Sequence, residues 1–157
     1  MQKITPCLWF DNNLQEAVDF YTSVFKNSEV LSKSYYGEGT PMPKGSLMVV
    51  TFRIEGHEFM GLNGGPQYKF TEAISLMVDC KTQEEVDYYW EKLSAGGGTE
   101  VQCGWLKDKF GLAWQIVPTR LMELIAGKDP VAVNRVLQAM YNMIKIDIKT
   151  LEEAYKG

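Results

Sequence analysis

Histidine and cysteine, which supply many of the transition-metal ligands in proteins, are scarce in this sequence. Its 157 residues include one histidine, His57, and three cysteines, Cys7, Cys80 and Cys103. An odd number of cysteines without metal-type spacing predicts free thiols, which are typical of the reducing cytoplasm. His57 stands in a predicted hairpin turn, so we expect an exposed turn residue rather than a metal ligand.

A large excess of charge and a long apolar run are also missing. The net charge is −4 and the pI is about 5.1, and no cluster of lysine and arginine stands out. This composition argues against binding to nucleic acid. No stretch approaches the roughly 20 apolar residues of a membrane helix. The N-terminal segment reaches Asp11 too soon for a signal peptide. We therefore predict a cytoplasmic protein that contacts neither nucleic acid nor membrane.

The sequence does contain an internal repeat. The segment LWFDNNLQEAVDFY, starting at Leu8, aligns without a gap with LMVDCKTQEEVDYY, starting at Leu76. The match crosses a predicted strand, a turn and a helix in the same order. Duplication therefore explains it better than two amphipathic helices that happen to look alike.

Each copy predicts one strand, one helix and three further strands. Short apolar runs at 5–10 and 74–78 predict the first strands, and apolar residues at helical spacing follow each run. The later strands are predicted at 29–36, 46–55 and 57–63 in copy one, and at 99–103, 105–107 and 112–117 in copy two. Beyond the repeat, helices are predicted at 121–126 and 131–144, with Asp147 capping a last short helix. The predicted fold is α+β, with two tandem βαβββ units forming a curved mixed sheet, plus C-terminal helices.

Two further patterns concern helix starts. Asn13 with Glu16, and Thr82 with Glu85, have the spacing of a capping box. We expect both pairs to satisfy the free N–H groups of their helices.

The sequence predicts one domain over residues 1–157, with repeat one at 3–66, repeat two at 72–118 and a helical tail at 119–157.

Several segments resemble the PhnB-like branch of the vicinal-oxygen-chelate (glyoxalase, bleomycin resistance and dioxygenase) superfamily. They are ITPCLWFDNN, GLNGGPQYKFTEAISLMVDC, EEVDYYWEKLSAGGG and CGWLKDKFGLAWQIVP. The resemblance implies a single glyoxalase-like domain and a homodimer in which concave sheets enclose pockets. Relatives there are often labelled 3-demethylubiquinone-9 3-methyltransferase. Neither glycine cluster here, at 64–65 or 96–98, leads from a strand into a helix as a nucleotide-type motif does, so the sequence does not favour methyl transfer.

The resemblance also implies where metal ligands would stand. Metal-using relatives take one ligand from the first strand and one from the last strand of each copy, typically His, Gln or Glu. Those positions fall here on Cys7, Met60, Ser75 and Gln115, or on Thr5 and Ala73 if the first strands are read one inward step earlier. Such a set is poor in the histidine and carboxylate ligands of catalytic divalent sites. We therefore predict no metal and no cofactor. Cys7 lacks a neighbouring base, so we expect a buried, inert thiol.

A mostly apolar cup with a few polar groups is typical of small-molecule sites. The candidate ligand-binding residues are Cys7, Trp9, Met60, Asn63, Ser75, Met77, Trp105, Trp114 and Gln115. Tryptophan and methionine at such positions are also typical of plain core. Lys107 and Asp108 are expected to form a solvated turn pair, with a role at the pocket rim as the alternative. We rank small-molecule binding first, a lyase, isomerase or other small-molecule enzyme second, and methyl transfer third; catalytic residues stay unassigned.

Overall fold

The computed structural model describes residues 2–157. These residues separate into two compact units, one ending at Phe70 and the other running from Thr71 to Gly157. The first unit contains β1 (Cys7–Phe10), α1 (Leu14–Val24), β2 (Ser28–Tyr35), β3 (Leu47–Ile54) and β4 (His57–Asn63). The second contains β5 (Ser75–Cys80), α2 (Gln83–Ser94), β6 (Thr99–Glu100), β7 (Trp105–Lys107), β8 (Ala113–Pro118), α3 (Thr119–Ile125), α4 (Pro130–Tyr141) and α5 (Ile148–Lys156).

The sheet of the first unit has the strand order β1-β4-β3-β2. Strand β1 runs parallel to β4, whereas β3 is antiparallel to both of its neighbours. Helix α1 packs against β3 and β4 and covers the side chains that alternate inward, such as Val50 and Phe52. A two-residue turn at Glu55 and Gly56, both with positive φ, joins β3 to β4. This geometry matches the twist of the flanking strands and fixes their register.

The sheet of the second unit repeats this plan with the order β5-β8-β7-β6. Strand β5 is parallel to β8, and the other pairs are antiparallel. The observed α+β fold, with two four-stranded mixed sheets, therefore confirms the predicted pair of βαβββ units. Strands β6 and β7 are short, with 2 and 3 residues.

The starts of the two repeat helices differ. Thr82 caps α2 as predicted, because its side chain accepts a hydrogen bond from the Glu85 N–H. The prediction for Asn13 is wrong, since its side chain makes no capping bond. The first N–H of α1, at Leu14, instead donates to Oδ1 of Asn63, 3.0 Å away.

The C-terminal helices α3, α4 and α5 belong to the second unit and share a small core, which includes Val136, Ile146 and Leu151. Asp147 caps α5 as predicted, accepting a bond from the Thr150 N–H. The connection between α4 and α5 also bonds back to the repeat: the N–H of Cys103 donates to the Met143 carbonyl. Within residues 2–157, none of the helices combines the length and the apolar character that crossing a membrane requires.

Candidate functional site

Each sheet has one face that its own repeat helix covers and one that this helix leaves uncovered, which we call the open face. On the first unit, the open face carries Cys7, Trp9 and Met60. Cys7 and Met60 are direct partners across the parallel β1–β4 pair, so their side chains lie next to each other on the same face. Met60 is 37% exposed. Three of the predicted ligand-binding residues therefore share one surface.

Trp9 is held rigidly at the edge of this surface. Its indole N–H donates to the carbonyl of Gly65 at 2.8 Å. Its ring lies so close to Gly64 that a Cβ at that position would be 2.2 Å from the ring. The ring of Tyr68 meets the indole edge to face, with centroids 4.9 Å apart. The indole N–H of Trp9 is therefore already hydrogen-bonded, and Trp9 can offer a ligand only the surface of its ring.

Cys7 is exposed, so the expectation of a buried thiol is wrong. It lies at the start of β1 on the open face, where its cross-strand neighbour is the flexible side chain of Met60. Partial burial nevertheless raises the pKa of the Cys7 thiol above its ordinary value. A raised pKa keeps sulfur protonated near neutral pH, and the protonated thiol is a poor nucleophile.

The open face of the second unit brings together Ser75, Met77, Trp105 and Gln115. The β5–β8 pairing sets Met77 directly opposite Gln115, and the β7–β8 pairing sets Trp105 opposite the same glutamine. Gln115 Nε2 donates to Ser75 Oγ at 2.8 Å. Met77 is 53% exposed. Four residues chosen from sequence thus form one contiguous surface, with a polar pair at its centre.

Asn63 and Trp114 lie on the opposite, helix-covered faces. Asn63 is 3% exposed, and its amide bonds the first turn of α1 and the carbonyl of Leu47. Trp114 is also 3% exposed and donates its indole N–H to Asp108. Their side chains therefore stabilise the packing of helix against sheet, and neither is on an open face.

The expectation of a solvated Lys107–Asp108 pair is wrong. Lys107 instead forms an ion pair with Glu72, at 2.9 Å. The Asp108 side chain is buried, and Oδ1 accepts hydrogen bonds from the N–H groups of Phe110 and Leu112. This carboxylate closes the turn into β8.

Sequence reasoning missed a charged row at one end of the first open face. Arg53 forms ion pairs with Glu29 and Glu58, the latter at 2.7 Å. Both glutamates are cross-strand partners of Arg53. The two-residue turn at 55–56 was the available signal, because it fixes the pairing of Arg53 with Glu58.

The residues at the metal-ligand positions that the resemblance implies do not fit a hard divalent cation. Cys7 and Met60 offer soft sulfur, while Ser75 and Gln115 offer neutral groups that already bond to each other. Hard divalent cations are bound mainly by carboxylates with other oxygen ligands, and imidazole suits borderline metals such as zinc. Across residues 2–157, no three His, Cys, Asp or Glu side chains gather as a metal site would require. The metal-free site stays a prediction.

Comparison with known proteins places the chain in a family. A sequence profile of the 3-demethylubiquinone-9 3-methyltransferase family matches residues 2–117. A PhnB protein from Bacillus cereus is 38% identical, with 75% of this chain and all of that chain covered and a TM-score of 0.68. The fosfomycin resistance protein FosX from Listeria monocytogenes, solved with Mn(II) and sulfate, is 20% identical, with coverage of 80% and 98% and a TM-score of 0.55.

A protein from Pseudomonas aeruginosa is 19% identical, with coverage of 75% and 98% and a TM-score of 0.61. A search of curated proteins finds no match. The two more distant likenesses concern the fold alone, whereas the profile and the Bacillus cereus protein concern the family. The chain therefore belongs to the 3-demethylubiquinone-9 3-methyltransferase family, the PhnB-like family that its sequence resembles.

Proposed function

We propose that this protein binds a small organic molecule on its open sheet faces without help from a divalent metal. The observation that carries the proposal is the surface around Gln115 in the second unit. There Gln115, which is hydrogen-bonded to Ser75, lies between an exposed Met77 and a half-buried Trp105. A few placed polar groups among adaptable apolar side chains are typical of small-molecule sites.

The first unit supports the same proposal independently. Its open face offers the fixed ring of Trp9 beside the sulfur groups of Cys7 and Met60. Trp9, Cys7 and Met60 supply neither a strong base nor an activated nucleophile, because the Cys7 thiol is protonated near neutral pH. Binding therefore fits the side chains better than catalysis through a covalent intermediate does.

The family label would suggest methyl transfer, and the superfamily would suggest metal-dependent chemistry. The first would require a cofactor site, which the glycine clusters do not resemble. The second would require carboxylate or imidazole ligands, whereas Ser75 and Gln115 offer only neutral hydroxyl and amide groups. Both remain alternatives that the experiment below separates from binding.

The test is a thermal-shift screen of the purified protein against a library of metabolites and antibiotics, with and without divalent metals. One arm contains S-adenosylmethionine. A ligand at a hundred times its dissociation constant stabilises by about 2.7 kcal/mol. For a chain of this size, that raises the melting temperature by about 5–10 °C. We expect metal-independent shifts; shifts that need a divalent metal, or a dose-dependent shift with S-adenosylmethionine, would overturn the proposal.

The proposal includes a homodimer, as the resemblance implies. Light scattering after size-exclusion chromatography measures the mass directly. We expect about twice the chain mass of 17.8 kDa. A mass of one chain at micromolar concentration would refute the dimer without affecting the binding proposal.

A further inference from the structure

The Ser75–Gln115 pair leaves hydrogen-bonding capacity for a ligand. Ser75 Oγ accepts from Gln115 Nε2, so the serine hydroxyl proton is still available to donate. Gln115 Oε1 is an acceptor that bonds to no other protein group in residues 2–157. The pair therefore presents two donors, the Ser75 hydroxyl and the second Gln115 N–H, beside the Gln115 Oε1 acceptor, and the bond within the pair fixes their relative positions.

Two apolar groups flank this pair. Gln115 lies between Met77 on β5 and Trp105 on β7, because both are its direct cross-strand partners. With strands about 4.8 Å apart, Met77 and Trp105 are about 10 Å apart across the glutamine. A flat ring system that lies over Gln115 would contact the thioether on one side and the indole on the other. Both groups bind aromatic rings well.

The charge of the lysine on β7 is neutralised. Lys107 follows Trp105 on the same face of β7, and its ammonium group forms an ion pair with Glu72. The pKa of the Glu72 carboxyl is lowered by its hydrogen bond with Lys107, so the carboxylate stays charged at neutral pH. An anionic ligand would have to compete with this carboxylate for the lysine. The surface therefore favours an uncharged ligand over an anionic one.

From these observations we propose that the second open face recognises a flat, uncharged ring carrying a hydrogen-bond donor next to an acceptor, as a cyclic amide does. The ring edge bonds Ser75 and Gln115, and the ring body lies between Met77 and Trp105. This inference rests on the proposed small-molecule binding and names the ligand class for one of its faces. It also assigns a role to Gln115: at a position where the resemblance implies a metal ligand, this side chain recognises the organic ligand by hydrogen bonds.

The test uses three matched bicyclic probes and calorimetric titration of the full chain. 2-Quinolone carries an adjacent N–H and carbonyl, N-methyl-2-quinolone carries only the carbonyl, and 2-naphthoate carries a negative charge. We expect 2-quinolone to bind about tenfold more tightly than its N-methyl analogue, because one net hydrogen bond is lost. We expect 2-naphthoate to bind more weakly than 2-quinolone. Equal affinities for the two quinolones, or tightest binding of the anion, would overturn the ligand class.

Two variants test whether Gln115 causes the difference in affinity between 2-quinolone and its N-methyl analogue. Gln115→Ala should weaken 2-quinolone about tenfold and abolish its advantage over the N-methyl probe. Gln138→Ala, which truncates an exposed glutamine on α4, is the matched control and should bind both probes like the parent. Retention of the preference in Gln115→Ala refutes the role of that residue, and circular dichroism verifies that each variant is folded.

The inference and the proposed function fail in different ways. If no quinolone binds while compounds from the library still stabilise the protein, the ligand class is wrong and small-molecule binding stands. If neither the probes nor any library compound binds, both are wrong.

Discussion

Replacing Asp108 with alanine should destabilise the protein strongly although the residue is a charged group in a turn. Its carboxylate is 3% exposed and accepts at least three hydrogen bonds, from the N–H groups of Phe110 and Leu112 and from the indole of Trp114, at 2.9–3.0 Å. Removing the carboxylate leaves these donors without partners in a buried place. Hydrogen bonds to charged groups contribute about 1.5–3 kcal/mol each, but their loss is not additive. We expect Asp108→Ala to lower the free energy of unfolding by about 3–5 kcal/mol.

Asp108→Asn separates the hydrogen bonds from the shape of the side chain. The asparagine oxygen can still accept from the two backbone groups, while its NH₂ would face the indole N–H of Trp114. One bond is lost and the others lose the assistance of the charge, so we expect about 1–3 kcal/mol. Asp79→Ala, at an exposed aspartate on β5, is the matched control and should change the free energy of unfolding by less than about 0.5 kcal/mol.

Urea unfolding followed by circular dichroism and by tryptophan fluorescence measures all three variants. The slope of the free energy with urea should stay unchanged, because the variants alter stability and not the surface exposed on unfolding. A loss below about 1 kcal/mol for Asp108→Ala would show that the buried carboxylate is not what closes this turn.

Three further predictions concern other positions. Asn63→Ala should cost about 2–3 kcal/mol in urea unfolding, because the first N–H of α1 loses its buried acceptor; a loss under about 0.5 kcal/mol would contradict this. Gly64→Ala should lower the melting temperature, since its Cβ would be 2.2 Å from the Trp9 ring; an unchanged melting temperature would show that the indole moves aside freely. Burial raises the pKa of Cys80 to about 12, whereas Cys7 is exposed with a thiol pKa raised less far. Alkylation at pH 8 should therefore be slow at Cys7 and absent at Cys80 in the folded protein; faster labelling of Cys80 than of Cys7 would refute this. The free energy of unfolding should also fall as pH rises from about 9 towards 12, because unfolding then releases the Cys80 proton.

The sequence by itself determined the order of elements and the duplication. Strand alternation, helical spacing and turn residues act over a few positions, so the two βαβββ units and the Glu55–Gly56 turn could be read without the fold. The caps at Thr82 and Asp147 were predictable for the same reason, because each acceptor lies three residues before its donor.

The tertiary structure alone decided which side chains meet across the chain. Asn63 replaces Asn13 as the acceptor for α1 because a strand 49 residues away ends beside the helix start. Ser75 and Gln115, 40 residues apart, bond only because a crossover helix brings β5 and β8 side by side in one register. The burial of Asp108 likewise depends on where β8 places Trp114. Alternation selected most of the residues on the open faces but also Asn63 and Trp114, which lie on the covered faces. Only the register of paired strands sets which side chains are neighbours and hence the chemistry that they offer.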